Sequence, residues 1–529
     1  MSYVAAFDIG TTAIKGVLVA KDGTFTGETV IPLKTYHGEN GEIEQNPHDW
    51  WEGVKDIAAH WREAKEIGGA DIKMISFSGQ MEDVIPIKAD NRLKGVTQIS
   101  EHEQLKGGDL IFVDKDRSSG TRFSEDRDQV YAILYSDTRA REELLLLKEA
   151  FPTHRRRTGN SLASSTPFAK ILWLKKKERD AFTNTTCFLF SSKDYVIYRL
   201  TGQFVSDPVT CATTGMMDIQ TKEWLLDCLD EFGVSTDLLP TIKFPDEVAG
   251  FVGAAAALES GFLEGTPVLC GSGDAGATTL GAAAVRNGDS YIYLGTTGWV
   301  AAASSKLDFD AAGIFNLAHM DHELYIRIAP LLNVGNIHRW AIETFIGNAD
   351  EPYRDFEVSV ESSEAGAGGL LFLPYLHGER GYIQDEEANG AFWGIQPLTR
   401  KADFLRAVIE GLSFSLKQTL DFVVGEGEEG SVTLIGGGTK SSTWCQALAD
   451  ILGKPIRVPA SSEYLPALGA AASAFIRLGW TENYETFADQ HIDTIQSKYY
   501  HPNHQHTEMY TNKYKQYLKL YPALKALYC

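Results

Sequence analysis

Three things are scarce in this sequence: cysteine, long apolar runs and positive charge. Its six cysteines, at 187, 211, 228, 270, 445 and 529, form no CxxC pair and no metal-ligand spacing. That excludes a zinc module or a disulfide framework and leads us to expect reduced thiols in a cytoplasmic chain. No apolar run reaches the roughly 20 residues of a membrane-spanning helix, and the opening residues enter a strand-like run with no leader pattern, so neither membrane insertion nor export is expected. Basic side chains number 49 against 71 acidic ones, a net charge of −22. A nucleic-acid or anionic-membrane partner demands the opposite sign. A nucleotide is not excluded, because a metal-neutralised local site can bind a polyphosphate inside an acidic protein. What remains is 529 residues, 43% hydrophobic and 23% charged, the composition of a globular chain too long for one core. At least two domains follow.

The chemistry is expected in VLCGSGDAGATTLGAAA, residues 268–284. An apolar run feeds a Gly-Ser-Gly turn that ends on Asp274, and a run of small residues then begins a helix. Glycines at 271, 273 and 276 permit a close ligand approach, and the small residues after them allow two elements to pack tightly. A helix-capping role for Asp274 is the alternative reading. Two further stretches, AFDIGTTAIKGVLV (6–19) and SYIYLGTTGWVA (290–301), each read as a strand, a Gly-Thr-Thr turn and a second strand. Each tip, Gly10-Thr11-Thr12 and Gly295-Thr296-Thr297, offers N–H groups and hydroxyls to an anion such as a nucleotide phosphate. Either could be a plain hairpin turn; the recurrence predicts a duplicated fold that closes on a polyphosphate from both sides.

Other residues join these. Asp8 ends the first strand beside its turn, suited to water-mediated contact with Mg²⁺ or to an Asx turn. Lys15 lies within reach of a phosphate or is a solvated strand-end lysine. Asn46-Pro47 opens a helix whose Trp50, Val54, Ile57, Ala58 and Trp61 share one face and read as core. The strand 73–78 runs into Gly79-Gln80-Met81-Glu82-Asp83, polar groups placed to bond a polyhydroxylated ligand or forming a surface turn. Asp137, in YSDTR, is a second such group, or pairs with Arg139. Residues 160–177 read as a helix. In the second half VTLI leads into GGGTKSSTWCQALAD, where Gly436, Gly437 and Gly438 let backbone lie against a base or ribose and Ser441 caps a helix. Glu379 and Arg380, in HGER, read as a structural pair as readily as a site. His501, His504 and His506 lack the carboxylates or thiolates of a metal centre.

Taken in order, FDIGTT, SGQM, YSDTR, SSKDYVIYRLTG, GSGDAGA, LGTTG, FLPYLHGER, IEGLSFSL and IGGGTKSSTWCQALAD resemble the FGGY family of carbohydrate kinases over nearly the whole chain. The resemblance implies an α/β fold of two actin-like, ribonuclease H-like domains of the hexokinase type, 1–285 and 286–529, with sugar and ATP meeting in the cleft. It implies that Asp274 is the general base and a Mg²⁺ contact with Asp8. The two Gly-Thr-Thr turns, with Lys15, would hold ATP phosphates, while Gly436 to Gly438 and Ser441 would take the adenosine. Gln80, Met81, Glu82, Asp137, Asp274 and Ala275 would face the sugar.

The chain departs from the family's xylulokinase pattern at Glu82, where His is usual after the Met, and at Ala275, where Asn is usual after the Asp. Glu82 also matches one half of the Arg-Glu pair of glycerol kinases. A carboxylate there suits neutral hydroxyls and repels a sugar acid unless Arg139 compensates. A neutral ketopentose, D-xylulose first, is the expected acceptor, with glycerol, ribulose and gluconate as alternatives. The charged segment 98–131, longer than in relatives, reads as a surface excursion, with a lid or an oligomer contact as the sharper alternative. The sequence is compatible with a homodimer. A sugar-independent actin-like ATPase and a silent sugar sensor are the competing classes; the second is disfavoured because the base is retained.

Overall fold

A computed structural model describes residues 2–65, 67–88, 130–425 and 430–528. The expected excursion at 98–131 lies outside the described residues except for its last two. The contacts divide the chain into two units, one of residues 1–281, 317–323 and 464–493 and one of residues 282–316, 324–463 and 494–529.

The first unit is built on a mixed sheet. Strand β1 (Tyr3–Ile9) is buried from Val4 onward, as its near-continuous apolar sequence predicts. It pairs antiparallel with β2 (Ala13–Ala20), which pairs antiparallel with β3 (Phe25–Pro32). Helix α1 (Pro47–Lys65) follows, with the Asn46 Oδ1 accepting from the His48 N–H at 3.0 Å as the cap. Trp50, Val54, Ile57, Ala58 and Trp61 all turn into the core. The indole N–H groups of Trp50 and Trp61 are satisfied by Gln45 and by the Gly27 carbonyl, so these rings are scaffold. On its other side β1 runs parallel to β4 (Ile72–Gly79).

Helix α2 (Pro167–Lys177) is shorter than the expected 160–177, because Pro167 suits only a first turn. Upstream, Asn160 is tied through its side chain to the Ala212 carbonyl. Helix α3 (Ser192–Thr201) ends on Gly202 at φ 72°. Strand β5 (Val248–Phe251) pairs antiparallel with β6 (Pro267–Leu269), which lies parallel to β4. Helix α4 (Asp274–Gly281) then packs against helix Leu465–Arg477, whose small residues, among them Gly469, Ala470 and Ala471, let the backbones approach.

The second unit repeats the pattern. Strands β7 (Ser290–Leu294) and β8 (Gly298–Ser304) form an antiparallel hairpin that continues antiparallel into β9 (Tyr325–Leu331). Helix α5 (Gly335–Ala341) follows. On the other side of β7 lie the parallel strands β10 (Val432–Ile435) and, beyond helix α6 (Ser442–Leu452), β11 (Ile456–Pro459), with β12 (Ser497–Tyr500) antiparallel at the end. The orders β3-β2-β1-β4-β6-β5 and β9-β8-β7-β10-β11-β12 have the same sequence of pairing senses. Both hairpins turn through three residues, Gly-Thr-Thr. The duplication expected from those turns therefore extends to the sheets, giving two α/β domains of the actin- and hexokinase-like ATPase type. Among the described residues no helix is long and apolar enough to cross a membrane.

Candidate active site

Asp274 opens α4 and is half-buried. Gly271, at φ 64°, brings the chain against the Phe77 backbone, where a Cβ would stand 2.2 Å from the Phe77 carbonyl oxygen. Ser272 and Gly273 then pair with the end of β4, which sets the start of α4 beside the C-terminal ends of β1 and β4. Burial raises the Asp274 carboxyl to about 7; Asp8 adds to this, as do Glu82 and Asp207, against the Ala275 N–H. A group that titrates near neutrality suits a general base.

Asp8 is buried at the end of β1 and accepts from the Ser78 hydroxyl at 2.8 Å. Burial raises its carboxyl too, against Lys15 and Ser78. Lys15 stands directly across the hairpin from Asp8, so its charge is shared with that carboxylate. Two hard carboxylates that repel each other fit Mg²⁺, which is commonly held by one or two carboxylates together with substrate phosphates. Among the described residues no group of three or more His, Cys, Asp or Glu side chains is arranged to hold an ion unaided.

The first Gly-Thr-Thr turn is braced from below. Gln45 donates to the Thr11 carbonyl at 2.7 Å, the Thr11 hydroxyl to the Gln80 Oε1 at 2.8 Å, and the Gln80 amide to the Gln45 Oε1 at 3.0 Å. Gln80 is thus buried and engaged within the protein. Thr12 is exposed at the tip. In the second unit Thr296 and Thr297 are exposed in the same way, and none of these three hydroxyls takes a partner among the described residues. The Gly295 and Thr296 carbonyls accept from the Gly335 and Asn336 N–H groups at the start of α5. A Cβ at Gly335 would meet the Gly295 oxygen at 2.3 Å.

Beyond β10, Gly436 turns at φ 94° against the Leu294 carbonyl, and Gly437 is exposed with open space where a side chain would be. Ser441 caps α6 by accepting from the Trp444 N–H, and its own hydroxyl donates to Glu357 in helix Pro352–Glu361. Glu357 also accepts from the Thr443 N–H. Sequence reading missed Glu357, which no motif marks, because it reaches Ser441 only through packing. Glu379 does not pair with the Arg380 side chain; it accepts from the Leu332 N–H and from Asn333. His506 is held by Asp450, which also accepts from Gln446.

The expected sugar-facing residues divide. Met81, Glu82 and Ala275 are partly exposed, and the Met81 sulfur lies where a Cβ on Gly273 would be. Glu82 has φ 62°, a left-handed backbone that is uncommon for a side-chain-bearing residue. Asp137, expected to face the sugar, is instead fully buried and spends its oxygens on the Ile43 N–H and on Arg139. Arg139 bonds Asp137 at 2.6 Å and Glu44 at 2.8 Å and lies over the Trp173 ring. Replacing Arg139 by Leu would leave both acids buried without their cation, and we expect a loss of about 3–5 kcal/mol, measurable by urea denaturation; a loss below about 1 kcal/mol would mean the pair is not structural.

A second buried group went unread in the sequence. Lys193 bridges Asp194 at 2.6 Å and Asp207 at 2.8 Å, all fully buried. Burial alone would lower Lys193, but these acids hold it above its ordinary value. Asp207 accepts from the Gly273 N–H as well, and so fixes the residue before Asp274.

Against known proteins, the sequence model of the N-terminal domain of the FGGY family of carbohydrate kinases matches residues 3–106 and 96–281, and that of the C-terminal domain matches 290–478. A xylulose kinase of Bacillus subtilis (strain 168) is 30% identical over 532 residues, covering 100% of this chain and 98% of that protein. Two solved structures from Lactobacillus acidophilus are each 26% identical with a TM-score of 0.83, covering 100% of this chain and 99% of theirs. One is a ligand-bound xylulose kinase and the other a gluconate kinase.

Proposed function

Since the chain belongs to the FGGY family of carbohydrate kinases and so transfers phosphate from ATP to a sugar hydroxyl, we propose that its acceptor is a small neutral sugar, a ketopentose such as D-xylulose converted to the 5-phosphate, with Asp274 as general base. The observation that carries the choice of acceptor is the confinement of Arg139. Relatives named for xylulose and for gluconate are equally similar in fold, so charge at the acceptor site has to separate them. Arg139, the cation that the sequence offers to compensate Glu82 for an acidic sugar, is buried on Asp137 and Glu44. The acceptor side then presents Met81 and Ala275 beside the carboxylates of Glu82 and Asp274, and those two acids bond hydroxyls and repel a carboxylate.

In this reading Asp274 takes the proton of the acceptor hydroxyl as the bond to phosphorus forms, and Gln80 keeps the first turn in register with the acceptor side. Thr12, Thr296 and Thr297 donate hydroxyls to phosphate oxygens, aided by the turn N–H groups after Gly10 and Gly295 and by Lys15. Gly436, Gly437 and Gly438 admit the adenosine, and Ser441, held by Glu357, fixes the wall behind them. Asp8 and Asp274 would hold Mg²⁺, which neutralises phosphate charge when bound. The catalytic and acceptor residues fall in 1–285 and the adenosine residues in 286–529. We place the reaction in the cytoplasm, in keeping with five free, buried cysteines.

The test is ADP release from ATP and Mg²⁺ with neutral ketoses, polyols and aldonates, and with no sugar. We expect a neutral ketose to exceed gluconate at least tenfold in kcat/KM, about 1.4 kcal/mol of discrimination. Gluconate equal to or above every neutral sugar would overturn the acceptor, and turnover indifferent to sugar would favour a protein-binding ATPase.

A further inference from the structure

Lys170, on α2, takes no part in the site described above, yet it is a fully buried ammonium between the Glu82 turn and the Leu134 turn. Its Nζ donates to the Glu82 carbonyl at 2.9 Å and to the Leu134 carbonyl at 2.6 Å. The two turns are also joined by the bridge between Val84 and Ile133, and the Tyr135 N–H acts on the Asp83 carboxyl. Glu82 stands in the left-handed region, and its carbonyl is directed inward at the buried Lys170 ammonium. Asp83 beside it is fully buried, with neither carboxylate oxygen in a well-formed hydrogen bond. Asp137, Glu82 and Asp83 are the acids that favour the charged lysine against its burial, which still leaves it at about 8. A buried cation spent on two backbone carbonyls is an expensive way to close a turn, and polar groups are retained in such places when geometry depends on them.

We propose that Lys170 is a positioning residue for acceptor recognition: it pins the left-handed Glu82 turn to the Leu134 turn and so presents the Glu82 side chain in one orientation. This rests on the reading of Glu82 as a sugar contact. Lys170 does not touch the sugar; it acts through the backbone of the residue that does. Helix α2 supplies the rigid base through Phe168, Ile171 and Leu174, all in the core.

A double-mutant cycle tests this with D-xylulose and ATP as substrates. Lys170→Met is expected to raise KM for D-xylulose about 100-fold, the scale of a misplaced binding group, with KM for ATP within about twofold and the circular dichroism spectrum unchanged. In a Glu82→Gly background the same substitution should add less than about threefold, because glycine holds the left-handed turn freely and has no carboxylate to orient. Lys170→Arg, which keeps charged donors, should recover at least about tenfold of the loss. If Lys170→Met does not fold, Lys170→Gln enters the same cycle with the same expected non-additivity. A large effect of Glu82→Gly with a fully additive Lys170 loss would overturn the proposal alone. Glu82→Gly with unaltered KM for D-xylulose would overturn the acceptor reading and the proposal with it.

Discussion

Asp274→Asn is expected to reduce phosphorylation about 10³–10⁴-fold, at the upper end of what a positioned base contributes, while ATP binding measured by calorimetry without Mg²⁺ stays within about threefold. The amide keeps the volume and the Ala275 contact but cannot accept the acceptor's proton. Activity within tenfold of wild type, or loss of nucleotide binding alone, would remove Asp274 from the role of base. The pH profile supplies an independent reading. The folded carboxyl titrates at about 7, raised from 3.8 by burial and then by Asp8, and only the ionised form is a base. Acceptor kcat/KM in the wild type should therefore fall about tenfold per pH unit below 7.

The same shift has an opposite sign for stability. A carboxyl whose folded pKa lies above its unfolded value binds its proton more tightly when folded. Its favourable contribution is complete below about 4 and is lost as pH rises through 7. At pH 8 the wild type holds an ionised Asp274 against Asp8, whereas the Asn variant does not. Asp274→Asn should consequently melt higher than wild type at pH 8, with the difference shrinking toward pH 4. A variant that melts lower at pH 8 would show that the carboxylate is stabilised by its surroundings, contrary to the raised value.

Gly469→Ala should lower the melting temperature, and here the sign is the test. In an exposed helix interior, alanine in place of glycine stabilises by about 1 kcal/mol. Gly469, however, sits where helix Leu465–Arg477 crosses α4, and a Cβ there would stand 2.1 Å from the Ala277 carbonyl oxygen. Gly281 makes the reciprocal approach, 2.2 Å from the Leu465 carbonyl. These contacts are backbone and cannot swing aside, so α4 must shift, at a cost of about 1–3 kcal/mol for overpacking. Because Asp274 is the first residue of α4, the displacement should also lower kcat. Gly469→Val should abolish soluble expression or nearly so. A rise in melting temperature for Gly469→Ala would mean that the helices do not cross this closely.

The features legible in the sequence are those set within a few residues. Gly-Thr-Thr between two apolar runs announces a hairpin whose tip has free hydroxyls, and its recurrence announced a duplicated sheet. Asn46-Pro47 followed by tryptophans at helical spacing announced a capped helix packed on the core. Gly-Ser-Gly-Asp announced a carboxylate delivered by a tight turn, since turn chemistry is local. The small residues after Asp274 announced a close helix contact without saying with what; helix Leu465–Arg477, whose Gly469 lies nearly 200 positions on, is supplied by tertiary packing.

Charge placement was settled by the same long-range packing. Asp137 and Glu82 look alike in sequence, both following apolar strands. Arg139 and Glu44, the latter on a distant segment, close over Asp137 and bury it, whereas Glu82 remains partly open in a left-handed turn. Lys170 and Lys193 read as ordinary helix lysines and are buried among carbonyls and carboxylates. Residue type and spacing determined which groups could bond a phosphate or a hydroxyl, because those are properties of a short stretch of backbone. Which of those groups were spent on the protein itself was decided only when segments far apart in the chain came into contact, since a charge is free or committed according to neighbours that local sequence does not contain.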